Sequence, residues 1–169
     1  PAQTDGLSGV SGKVILWVHG LCLNEGHWVR DGLNQGELLA NELGYTPLYL
    51  RYNTGLPVPA NGRELAARLE GLLQNWPHPV DELVIAGHSM GGLVARSACH
   101  YARQASYHWL QHLRSLVFIG TPHHGAPLER GGRRLDVLLG LSPYVAPFAR
   151  LGKARSAGIT DLRFGNLCD

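Results

Sequence analysis

No apolar run in the 169-residue chain is longer than a strand, far short of the ~20 residues a bilayer-spanning helix needs. Nor is there an excess of one charge. Fifteen basic residues against thirteen acidic give +2, which argues against a dedicated nucleic-acid binder. There are only three cysteines, Cys22, Cys99 and Cys168, with no C-x-x-C spacing. An odd number so spaced argues against a disulfide framework and leans towards a reducing compartment, the cytoplasm. No secretory signal is visible, but the chain opens on Pro1 rather than methionine, so that absence carries no weight. The most telling absence lies inside the chain. Between Ser89 and His124, the last histidine, there is no Asp or Glu, and the acids that follow (Glu129, Asp136, Asp161, Asp169) have no histidine after them.

What is present suits a globular domain: 44% of the residues are hydrophobic and 17% charged. Residues 1–12, with Gly6, Gly9 and Gly12, read as a loose leader or linker. Lys13 to Val18 is a continuous apolar strand of the kind buried on both faces. After a long loop comes a helix around Gln35 to Leu43, closed by Gly44. Thr46 to Tyr52 is a second strand, and Asn53 to Ala60, with Gly55, Pro57 and Pro59, reads as a loop. Asn61 followed by Glu64 has capping-box spacing, so the next helix is expected to start there and to end at Pro77. Leu65, Leu69, Leu72, Leu73 and Trp76 form its apolar stripe. Leu83 to Ala86 is a third strand, a small-residue helix runs from Leu93 to Gln104, and Leu116 to Ile119 is a fourth strand. This alternation predicts an α/β fold, a mainly parallel sheet with flanking helices joined by right-handed crossovers. With the third strand central, Lys13–Val18 and Leu116–Ile119 are its neighbours. The fourth strand would then be an open apolar edge, which proteins seldom leave bare.

Ser89 lies in Gly87-His88-Ser89-Met90-Gly91-Gly92, directly after the third strand. A strand that turns sharply through a serine into a helix is a nucleophile elbow, and glycines two residues either side avoid collision in the strained turn. The pattern alone is weak: with 22 glycines it arises by chance in about one such chain in eight. Upstream, the first strand ends in Trp17-Val18-His19-Gly20-Leu21. In this architecture that loop gives one backbone N–H to an oxyanion hole, and the residue after the nucleophile gives the other. The candidate donors are therefore Leu21 and Met90, with Ser89 as candidate nucleophile. His19 is expected to prop the loop rather than carry protons, because the base should follow the nucleophile.

Val18-His19-Gly20, the Gly87–Arg96 segment and Gly120-Thr121-Pro122-His123-His124-Gly125-Ala126-Pro127 together resemble the serine lipases and esterases of the α/β-hydrolase superfamily, nearest to bacterial lipases and GPI-inositol-deacylase-like proteins. The resemblance runs from about Lys13 to Pro127. It implies hydrolysis of carboxylic esters, of acyl or lipid type, through an acyl-enzyme on Ser89. It implies no cofactor. It also places the triad acid and histidine on later strands, so the chain reads as a fragment whose C-terminal strands are missing. The division expected is a leader over 1–12, a hydrolase core over 13–127 and a helical lid-like segment over 128–169.

Other clusters have plainer readings. His123 and His124 shape a pocket wall in similar lipases and are not the base. His108 and His112 have the i, i+4 spacing of zinc ligands, but Trp109 stands where H-E-x-x-H needs Glu, so no metal is expected. Cys99 reads as a core residue and Cys22 as a candidate reactive thiol beside the site. The segment from Thr121 to Asp169 holds seven of the fifteen basic residues and four of the thirteen acids. It is a solvated face or, in a second reading, a lid making transient membrane-surface contact through Leu138, Leu139, Tyr144, Val145 and Phe148. Three functions stay open: an ester hydrolase, a hydrolase-fold binding module without catalysis, and an amidase or acyltransferase on the same elbow.

Overall fold

The computed structural model describes residues 10–123 and Cys168. The segments 1–9 and 124–167, which hold His124 and almost all of the expected lid, lie outside the described residues. The last residues of the expected leader are tied down. The Ser11 amide donates to Thr46 Oγ1, the Trp76 indole donates to Ser11 O, and Gly12 O accepts from Asp81 N.

Strand β1 (Lys13–Val18) pairs in parallel with β4 (Thr46–Leu50) on one side and β5 (Glu82–His88) on the other. Strand β6 (Leu113–Ile119) pairs in parallel with β5, giving the order β4-β1-β5-β6. The elbow strand is thus flanked by the two strands expected. Alternate residues of β1 serve the two faces. Val14, Leu16 and Val18 join Leu83 and Ile85 under α2 (Val58–Gln74) and α3 (Met90–Gln104). Ile15 and Trp17 join Val84, Ala86 and Trp28 on the other face, with Leu39 of α1 (Gln35–Leu43) packed against them. Right-handed crossovers require this split: β1 to β4 moves one way across the sheet, while β4 to β5 and β5 to β6 move the other.

Helix α1 starts at Asn34, whose side-chain oxygen accepts from the Gly36 and Glu37 amides, and ends at Gly44, φ 73°. Helix α2 departs from the expected start. It begins at Val58, after Pro57 as N-cap, with a proline in its first turn, where a missing N–H costs nothing. Asn61 is therefore inside the helix and buried. Its Nδ2 donates to Asn53 O and Leu56 O, holding the incoming loop instead of capping. The helix ends at Gln74, before Pro77. Helix α3 starts at Met90, directly after Ser89, and β6 begins at Leu113, both earlier than expected. The loop after β1 also contains a 3₁₀ turn (Glu25–Trp28) and a small hairpin of β2 (Val29–Arg30) and β3 (Leu33–Asn34). Asp31 and Gly32 at its tip both have positive φ, 52° and 77°, as a two-residue type I′ hairpin demands. Within the sheet the described residues of β6 end on exposed Val117, Phe118 and Ile119.

Candidate active site

Strands β1 and β5 are neighbours, yet the helices that follow them lie on opposite faces. In an open α/β sheet that reversal opens a crevice at the carboxyl ends of the two strands. Ser89 ends β5 and His19-Gly20-Leu21 follows β1, so the two motifs meet at that crevice.

Ser89 has φ 51° and ψ −121°, a conformation costing a non-glycine residue of order 1–3 kcal/mol. Specific contacts hold it there. The Ser89 amide donates to Ile119 O at 2.8 Å, and Ser89 O accepts from Gly92 N at 3.1 Å. The flanking glycines are required by close approach. A Cβ at Gly87 would lie 2.6 Å from the Gly92 backbone, and one at Gly91 would collide with Val18 O and His19 O. One at Gly92 would run into Thr121, which explains how the segment after β6 keys into the elbow helix. Across the crevice, a Cβ at Gly20 would sit 3.1 Å from both Ser89 Cβ and His88 Nδ1. The Gly20–Leu21 peptide is thereby wedged beside the serine.

Met90 opens α3, where the first amides of a helix have no intrahelical acceptor and carry its positive dipole end. Among the described residues neither the Met90 nor the Leu21 amide has a hydrogen-bond acceptor. Leu21 lies in a turn closed by Leu23 N to Gly20 O, 3.3 Å.

His19 is 1% exposed, and its Nδ1 donates to Gly20 O at 3.0 Å. Its ring stacks on Tyr52 at 4.5 Å, and the Tyr52 hydroxyl donates to His19 O at 2.7 Å. Burial lowers the His19 pKa and raises that of Tyr52, so a neutral imidazole and a protonated phenol hold the loop. His123 sits on Phe118, and its Nδ1 takes a hydrogen bond from Arg96 at 2.9 Å. Guanidinium only donates, so Nδ1 is bare and the proton is on Nε2. Among the described residues no side chain hydrogen-bonds to Ser89 Oγ.

The remaining candidates separate. His108 lies on a 3₁₀ turn, where i, i+4 residues do not stack, and it bonds Glu70 rather than joining His112. Among the described residues no group of three His, Cys, Asp or Glu is placed to hold a metal. Cys22 is an exposed residue with φ 57°, and partial desolvation of its thiol pushes the pKa up, away from the reactive thiolate. Cys99 is half-buried on α3 and its thiol is pushed up to about 11. A cavity of about 720 Å³ lies between β4 and α2, lined by Leu48, Leu50, Leu65, Leu69 and Leu72, none of them at the elbow. Missed in the sequence was an aromatic cluster under the elbow: His27, Trp28 and His88 with Trp17.

A model of the PGAP1-like alpha/beta domain matches residues 9–146. The chain belongs to that family. Among solved structures it is similar to the Bacillus licheniformis lipase BlEst2 in mature form, with TM-score 0.62 and 22% identity over 90% of this chain and 55% of that one. It is also similar to phospholipase PlaB from Legionella pneumophila in complex with thio-NAD, with TM-score 0.54 and 18% identity over 73% of this chain and 28% of that one. A third similar structure is RedJ with a PEG molecule bound in the active site, with TM-score 0.51 and 15% identity over 94% of this chain and 64% of that one. The PGAP1-like chain thus has the α/β-hydrolase fold and spans under two thirds of the length of each of these structures. A search of curated proteins found no match.

Proposed function

We propose that the protein is a serine hydrolase that cleaves carboxylic esters of acyl or lipid type through an acyl-enzyme on Ser89. The observation that carries this reading is the strained Ser89 backbone, held at the switch point of the sheet with the Gly20–Leu21 peptide wedged against it. Lipase and phospholipase among the similar folds favour lipid or acyl esters as the substrate class. In the reaction Ser89 Oγ bonds to the ester carbonyl carbon as its proton passes to a base. The carbonyl electron pair becomes an oxyanion facing the Leu21 and Met90 amides, each worth ~3 kcal/mol to the transition state. Collapse expels the alcohol, which takes the proton from the base, and water repeats the sequence to free the acid.

No described histidine reaches Ser89 Oγ, and no acid stands between Ser89 and His124, so the reading assigns the base and its acid to protein outside residues 1–169. The same observation favours a second reading, a hydrolase fold that binds an acyl ligand without turning it over. A fluorophosphonate probe separates the two. Labelling at Ser89, abolished in Ser89→Ala together with several orders of magnitude of ester turnover, is the expected result. An unlabelled wild-type protein that still binds a fatty acyl chain would favour the binding module. Turnover of a p-nitroanilide in preference to the matching p-nitrophenyl ester would move the assignment to an amidase.

A further inference from the structure

His88 directly precedes Ser89, and its Nδ1 is buried against Gly20 with no hydrogen-bond partner among the described residues. Its ring lies 5.0 Å from that of His27, with the planes 31° apart, and edge-on to Trp28 at 6.4 Å. Trp28 is 6% exposed and packs on Trp17 of β1 at 4.6 Å, which seats the 3₁₀ turn on the sheet. The Asn24 side chain caps that turn, and Glu25 on it pairs with Arg51 after β4. The loop after β1 therefore touches the elbow twice, with Gly20 against Ser89 and with His27 and Trp28 over His88.

This arrangement suits one protonation state. A neutral His88 with its proton on Nε2 turns a bare Nδ1 towards Gly20. A second proton would have to sit on Nδ1, charged, buried and without an acceptor, against the peptide that carries the Leu21 amide. We propose that His27 and His88 act as one positioning unit: with both rings neutral they hold the Gly20–Leu21 peptide against Ser89, and a proton on the pair releases it. The proposal deepens the serine-hydrolase reading and rests on it for the role of the Leu21 amide. Burial lowers both imidazole pKa values, and the charge of His27 lowers that of His88 further. Among the described residues His19 after β1 interacts electrostatically with His27 and with Glu25 on the same turn, and Glu25 faces Arg51 after β4. Burial lowers the pKa of His19, and Glu25 and Arg51 are bound to each other.

The test is an amide and imidazole NMR titration of the intact protein from about pH 8 to about pH 5. The Leu21 amide resonance should move with the midpoint of the His88 ring, and its heteronuclear NOE should fall as the pair takes up a proton. In His27→Phe the His88 midpoint should rise and the Leu21 transition should follow it. In His88→Gln the Leu21 transition should vanish. A Leu21 NOE that stays constant through the His88 titration, or a His88 midpoint unmoved by His27→Phe, would overturn the proposal. Failure of the fluorophosphonate to label Ser89 would instead sink the hydrolase reading and leave the titration result standing.

Discussion

On the face of the sheet covered by α2 and α3, Val14, Leu16, Leu83 and Ile85 close against Leu65, Leu69, Leu93 and Val94, and the buried Trp109 indole and Glu70 carboxylate have partners. Trp109 donates its indole N–H to Ala66 O at 3.1 Å, and Glu70 accepts from His108 and from the Trp109 amide. On the face covered by α1, Trp17 and Trp28 are buried among Ile15, Val84 and Ala86, and the Nε1 atoms of Trp17 and Trp28 and Nδ1 of His88 have no partner among the described residues. A buried polar atom left unpaired costs ~1–3 kcal/mol, so the first face is built for stability and the second gives some up. The crevice opens where the less satisfied face reaches Ser89. Residues that position a reacting group are drawn from the less optimised side of the core.

The comparison can be broken at its largest element. Trp109→Ala should lose ~4 kcal/mol of unfolding free energy by removing a fully buried ring and leaving a cavity, as a urea melt would measure. A sharper version replaces each indole with phenyl. Trp109→Phe should cost ~1–2 kcal/mol beyond its lost area, because Ala66 O loses its donor. Trp28→Phe should lack that penalty, since its N–H has no partner to lose. Equal costs at the two sites would remove the distinction between the faces.

A smaller effect concerns acid. Burial works to raise the Glu70 carboxyl, but the hydrogen bonds from His108 and from the Trp109 and His108 amides outweigh it and hold the pKa below 4.5. A carboxyl depressed in the folded state adds stability above its unfolded pKa, and loses that contribution as pH falls through the folded value. Stability measured from neutral pH downward should therefore fall below about pH 4.5, and Glu70→Gln should flatten that slope while lowering stability at neutral pH. An unchanged acid slope in Glu70→Gln would show that this tie between α2 and the turn before β6 is not where the acid sensitivity lies. The smallest effect expected is at Cys22. Cys22→Ser should leave unfolding free energy within ~0.5 kcal/mol and should not alter fluorophosphonate labelling of Ser89.

Much of this arrangement is legible in the sequence. The both-faces-buried run of β1, the αL closure at Gly44 and the strand-to-helix turn at Ser89 are local signals, and taking the elbow strand as central gave its two neighbours, while the place of β4 outside β1 came only with the structure. The start of α2 was misread because two rules competed. Asn61 with Glu64 matched a capping box, but Pro57-Val58-Pro59 was the true start, and Asn61 serves the preceding loop as a donor. The hairpin does carry a local signal: Asp31-Gly32 between Val29-Arg30 and Leu33-Asn34 is a type I′ signature. The cluster of His27, Trp28 and His88 had no such signature. Its members lie about sixty residues apart in the chain and meet through strand pairing, a non-local contact that periodicity cannot report.

During synthesis the elbow emerges well before the residues that secure it. Ser89 depends on Ile119 O, and the Thr121 hydroxyl reaches Gly87 O across 34 residues of chain. Until β6 has left the ribosome and docked, that turn has neither its acceptor nor its key, so the nucleophile's geometry stays incomplete for at least the thirty residues that follow Ser89.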